Sequence, residues 1–154
     1  MKKKHQPQQH EDLLRTAKTK VTKPRLAVLK CLGESDNALS PKDILEIIKN
    51  DSELEQTDLV TVYRILDAFS KIDLVHQVHP SGGYLICEHP SCSRGTHILL
   101  TCIQCQQASE VEVPTEVFAP TQWFIKNEFN FELNQHLFQI DGTCKACKEK
   151  VSKG

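Results

Sequence analysis

Residues 61–78 read TVYRILDAFSKIDLVHQV, and residues 79–89 continue HPSGGYLICEH. The stretch changes period halfway. Leu59, Val62, Ile65, Leu66 and Phe69 recur at helical spacing and predict the buried face of a helix. Beyond it, two short runs alternate apolar with polar residues around Pro80-Ser81-Gly82-Gly83, which predicts a β-hairpin. A helix running into a hairpin is the second half of a winged helix, with the helix as reader and the hairpin as wing.

The helices that such a fold needs upstream are legible. In KTKVTKPRLAVLKCLGE (18–34), Leu26, Val28, Leu29 and Leu32 form the apolar side, Thr22 and Pro24 open the helix and Gly33 closes it. In ALSPKDILEIIKN (38–50), Ser40 is the cap, Pro41 the first helical residue, and Ile44, Leu45, Ile47 and Ile48 the buried face. Residues 1–8 are polar and predict a frayed, disordered tail.

Downstream the grammar is mixed. HILLTC (97–102) and SEVEV (109–113) predict strands either side of a turn; residues 115–128 predict a helix with a weak point or kink at Pro120. NFELNQHLFQIDG (130–142) predicts a strand and CKACKEKVSK (144–153) a short helix. The expected fold class is therefore α+β: a winged-helix domain over 1–88 and an α/β domain over 89–154.

The chain has 154 residues and a net charge of −1, which by itself neither favours nor excludes a nucleic-acid partner. Its distribution says more: up to Lys30 there are nine Lys or Arg against Glu11 and Asp12, which fits a phosphate-facing segment or a solvated basic tail. No apolar run approaches the ~18–20 residues of a membrane span, and MKKKHQPQQHED lacks the apolar core of a signal peptide. The expectation is a cytoplasmic protein with no membrane partner, in which seven cysteines serve metal or redox chemistry rather than structural disulfides.

Cys102-x-x-Cys105 and Cys144-x-x-Cys147 are the strongest chemical signal. Two thiolates two residues apart grip one ion from a tight turn, and two such knuckles complete a tetrahedral four-cysteine zinc site. The rival, thioredoxin-like redox chemistry, needs one such pair opening a helix after a strand, and no such pattern precedes Cys102. Cys31, on an apolar helix side, reads as core; His5 and His10 read as solvated tail.

His76 and Cys87 flank the hairpin turn where two strands can bring them together; His97 opens the next strand, and Glu110 follows the first knuckle. Each alone is an ordinary buried residue, but together they form a second zinc donor set, regulatory rather than structural because it lies at the domain boundary. His89 and Cys92 are alternates for the third ligand, and Cys92 is also a candidate oxidisable thiol.

These motifs together resemble the ferric uptake regulator family of metal-dependent repressors over residues 11–150: TVYRILDAFSKIDLVHQV is similar to its recognition helix and wing, VTKPRLAVL to the segment around its second helix, and the paired knuckles to its structural zinc site. Within the family the chain most resembles the zinc uptake regulators, which place a His on the first wing strand and a Cys eleven residues on, as His76 and Cys87 stand here. Iron-sensing members typically carry Glu at the position of Cys87, and a His where this chain has DNALSPKD (36–43). The family's H-x-H run is reduced to His97-Ile-Leu, EHPSCSRG (88–95) is an insertion, and His136 matches an accessory metal position but lacks its partners, so it reads as structural.

The resemblance implies a zinc-responsive transcriptional repressor of zinc-uptake genes, not an enzyme. It implies a homodimer on a near-palindromic operator in double-stranded DNA, with two Zn2+ per protomer. The helix over 61–69 enters the major groove, Thr61, Tyr63 and Arg64 face the bases, and Thr22, Lys23 and Arg25 meet phosphate. An iron- or peroxide-sensing member, a thiol redox switch and a zinc-stapled protein-interaction module are the alternatives.

Overall fold

A computed structural model describes residues 7–79, 81–87, 96–133 and 137–151. Packing divides the chain into two compact units, 1–90 and 91–154.

The first unit carries four helices, α1 (Pro7–Thr16), α2 (Lys23–Glu34), α3 (Pro41–Ile48) and α4 (Leu59–Ser70), then strands β1 (Val75–Val78) and β2 (Gly83–Ile86). Its core joins Leu14, Val28, Leu29, Leu32, Ile44, Val62, Leu66 and Phe69, all essentially without solvent contact, to Val75, Tyr84 and Ile86 from the hairpin. Cys31 is part of this core, and burial, with Glu34 and Asp43 adding, pushes its thiol up to about 11.

Local chemistry fixes the helix starts. Ser40 and Asp43 form a reciprocal capping box at α3, behind Pro41. Asp58 caps α4, its Oδ1 accepting from the Thr61 N–H at 2.7 Å. The wing has a third edge: Leu39 and Tyr84 exchange backbone hydrogen bonds of 3.0 and 2.8 Å, so the approach to α3 pairs with β2. That pairing brings Gly83 so near Ala38 that a Cβ on Gly83 would lie 2.9 Å from the Ala38 Cβ. At the hairpin turn Gly82 holds φ +71°, which glycine adopts without steric cost.

Some expectations are corrected. Helix α1 begins at Pro7, inside the 1–8 stretch expected to fray, and farther along it buries Leu14 completely. Gly33 lies inside α2, which ends at Glu34. Ile47 is 46% exposed, because an eight-residue helix packed on one side turns the row of Pro41, Ile44 and Ile48 inward and leaves Ile47 off it.

The second unit is a three-stranded sheet with two helices: β3 (Thr96–Cys102), β4 (Ala108–Val113), α5 (Thr115–Phe129), β5 (Leu137–Gly142) and α6 (Lys145–Val151). The order is β4-β3-β5, with β3 antiparallel to β4 and parallel to β5. Helix α5 runs unbroken past Pro120 and is the crossover that parallel pairing requires. Among the described residues no helix is long and apolar enough to cross a membrane.

Candidate metal centres and nucleic-acid interface

Cys102 ends β3 and Cys105 lies in the turn to β4, closed by Cys102 and Gln107 pairing through 2.9 Å and by Gln106 in the left-handed region at φ +58°. Cys144 and Cys147 sit at the start of α6, just beyond β5. Because β3 and β5 are parallel, their carboxyl ends lie at the same edge, and the Ile103 N–H donates to the Gly142 carbonyl at 2.9 Å. Knuckles far apart in sequence therefore meet, with the four sulfurs all within 4.8 Å of one another.

The donor set fits a tetrahedral thiophilic ion. Four sulfurs at about 2.3 Å from one centre would be spaced by roughly 3.8 Å, and Cys105 Sγ lies 3.7 Å from Cys144 Sγ, far outside disulfide length. The Cys144 N–H, 3.3 Å from the Cys102 sulfur, helps hold that thiol down to about 6, while hydrogen bonds with Cys144 and Cys105 push Cys147 up to about 12.

The other expected donors fall into two pairs. In the first unit, β1–β2 register sets His76 opposite Leu85 and carries Cys87 just beyond, its N–H donating to the Leu74 carbonyl at 2.9 Å. Alternation places His76 and Cys87 on one face of the hairpin, away from the face of Val75, Tyr84 and Ile86 that meets the helical core. Both are buried, and their ligand atoms lie within 4.8 Å. In the second unit, His97 and Glu110 are diagonal neighbours across β3 and β4, and His97 Nδ1 is 2.8 Å from Glu110 Oε1 with both side chains buried. That is hydrogen-bond distance, shorter than the roughly 3.3 Å edge between two N/O donors at about 2.0–2.1 Å from a shared ion. His89, Cys92 and His136 lie outside the described residues.

The outer face of α4 carries Tyr63, half exposed, and Arg64. Thr61 is partly covered. Val60 was not singled out from the sequence, yet it is 55% exposed on the same stripe, three residues before Tyr63 and four before Arg64; a helical-wheel projection of 59–70 marks it. Thr22 stands at the N-cap of α2 without a side-chain cap bond. Lys23 Nζ is paired to Glu53 Oε1 at 2.6 Å on the surface, and Arg25 donates to the Lys20 carbonyl at 2.9 Å, bracing the turn into α2.

The comparisons with known proteins converge with this architecture. The model of the ferric uptake regulator family matches residues 16–147. A ferric uptake regulation protein of Campylobacter upsaliensis is 29% identical over 140 residues, 90% of this chain and 86% of that protein. A zinc uptake regulation protein of Escherichia coli is 26% identical over 141 residues, 92% of this chain and 80% of that protein. Among solved structures, a zinc uptake regulator complexed with zinc and DNA superposes with a TM-score of 0.78 at 25% identity, covering 95% of each chain. A winged helix, a strand-rich second unit and a four-thiol knuckle pair, matched over most of the chain, place it in the ferric uptake regulator family, whose members are metal-responsive DNA-binding transcription regulators and not enzymes.

Proposed function

We propose that the chain is a zinc-responsive repressor of zinc-uptake genes, acting in the cytoplasm as a homodimer on a near-palindromic operator. Two zinc ions per protomer are assigned: a structural one at Cys102, Cys105, Cys144 and Cys147, and a regulatory one at His76, Cys87, His97 and Glu110. The observation that carries the choice of metal is the buried His76–Cys87 pair. An imidazole beside a thiolate is a donor pair for zinc, whereas a site meant for a harder ion uses carboxylate at such a position. Two of the four regulatory donors come from each unit. Occupancy of this site is expected to raise operator affinity, and loss of the ion to lower it.

Residues 1–88 are assigned to DNA binding and 89–154 to dimerisation. Support for a second copy comes from the second unit's own surface: Leu100, Val111 and Ile140 stand exposed on one sheet face, and Val117, Trp123 and Phe129 on α5. Thr61, Tyr63 and Arg64 are assigned to the major groove, and Thr22, Lys23 and Arg25 to phosphates. Lys23 would exchange Glu53 for phosphate at little cost, since exposed pairs are worth ~0–1 kcal/mol.

The test is zinc content per chain before and after mild chelation, measured with DNA binding. Two ions, one lost together with operator affinity, are expected. The Cys87→Ser chain is expected to stay dimeric, keep one zinc and lose zinc-dependent binding; if it still binds operator only with zinc, the regulatory assignment is wrong. The kinship to iron-named relatives gives the second reading: operator binding driven by Fe2+ or Mn2+ and not by zinc would establish it.

A further inference from the structure

We infer that Val60 reads a thymine methyl group in the major groove, adding an apolar base contact to those assigned to Tyr63 and Arg64. The inference rests on the DNA-binding reading above and extends it.

The buried face of α4 is complete without Val60: Val62, Ile65, Leu66 and Phe69 supply it. Val60 points to the other side, 55% exposed, in line with Arg64 and Asp67 and beside Tyr63. Asp67 is engaged with Lys71 at 2.6 Å, so the far end of this stripe is tied to its own helix. The near end is the first turn, where Asp58 holds the helix start by accepting from Thr61.

Single exposed apolar residues are common and ordinarily mean nothing. Three features set this one apart. It lies in the first turn, the part of a recognition helix that reaches base edges. It is β-branched where helix propensity favours other residues, and its exposed neighbours Asp58 and Arg64 are polar. The major groove offers one apolar group for such a side chain, the C5-methyl of thymine, and small apolar side chains contact it. Val60 and Arg64 are separated by roughly 6 Å of helix rise, about two base-pair steps at 3.4 Å. The thymine is thus placed within about two base pairs of the base that Arg64 reads.

The experiment crosses a protein methyl with a DNA methyl. An operator is selected from random duplexes with zinc-loaded, full-length protein. Each thymine within three base pairs of the Arg64-dependent position is then replaced singly by deoxyuridine, which deletes only the methyl. One replacement should weaken wild type roughly 3- to 5-fold, the worth of one buried methyl. Val60→Ala should bind the normal operator more weakly by a similar factor and be indifferent to that replacement. Ala is the stronger helix former, so loss of α4 is not a confounding result. Two outcomes overturn the inference alone: wild type insensitive at every thymine, or Val60→Ala as sensitive as wild type. Failure of zinc-loaded wild type to select any duplex overturns the DNA-binding reading, and this inference with it.

Discussion

Replacing Cys105 by serine separates what the zinc proposed at the four thiols does for the second unit from what packing does. Cys105 is exposed, so the substitution removes a ligand and almost no core. Buried apolar side chains in this unit, among the described residues, are Leu99 and Ala108; Cys102, Cys147, His97 and Thr101 are buried beside them. A buried Leu contributes about 1.5–3 kcal/mol and a methyl about 0.8, so the two supply roughly 2–4 kcal/mol. A structural zinc site supplies about 10–16 kcal/mol, or roughly 2.5–4 per thiolate. Zinc affinity should therefore fall about 100- to 1000-fold, a loss comparable to everything the two apolar side chains supply. The first unit holds no thiol of this cluster and keeps its own core. Trp123, the single tryptophan, lies in α5 and reports the second unit, whereas far-UV dichroism is weighted to the four helices of the first. Zinc competition against a chromophoric chelator and thermal unfolding on both probes make the assay. The Trp123 transition should shift down or vanish while the dichroism transition holds. Zinc affinity within threefold of wild type, with coincident and unshifted transitions, would refute the reasoning.

Three further outcomes are expected. Leu66→Ala, at a fully buried core position, should destabilise the first unit by about 2–5 kcal/mol in urea unfolding. Gly83→Ala should cost about 1–3 kcal/mol by driving a methyl onto Ala38, and Ala38→Gly should recover most of it; absence of that rescue would show that Ala38 is not the obstacle. The hydrogen bond from Thr61 holds the Asp58 carboxyl below its ordinary value, so its stabilisation is whole above the unfolded pKa, about 3.9, and is lost as pH falls through the folded value. Asp58→Asn keeps a capping side chain without that titration, so its unfolding free energy should depend less on pH below about 4 than that of wild type.

The elements that were legible announced themselves by period or by punctuation. The helix of Val62, Ile65, Leu66 and Phe69 and the turn around Gly82 needed no partner to be read. Helix α1 was not legible in the same way. Leu13, Leu14 and Ala17 stand in a polar setting too sparse for a stripe, and the burial of Leu14 is decided by the core it meets. Leu39 likewise carries no strand signal; it pairs because Tyr84 offers it an edge. Pro120 reads as a weak point, and helix α5 continues through it from Thr115 to Phe129. Of the candidate sites, the knuckle spacing was local and could be read directly, and the meeting of the two knuckles waited on the parallel pairing of β3 with β5. Val60 falls outside the apolar face read for this helix, and a single exposed apolar residue carries no signal of its own.

That parallel pairing also fixes an order of events in time. The first unit, with its helices and hairpin, lies wholly ahead of β3 in the chain, and domains emerge and fold from the amino-terminal side during synthesis. Cys102 and Cys105 appear next, but they have only half a coordination sphere until α5 has crossed over and β5 has delivered Cys144 and Cys147. A nascent chain halted before β5 thus owns a finished winged helix and no four-thiol centre. The module assigned to reading DNA is built first, and the four thiols proposed to hold zinc come together only after the crossover is complete.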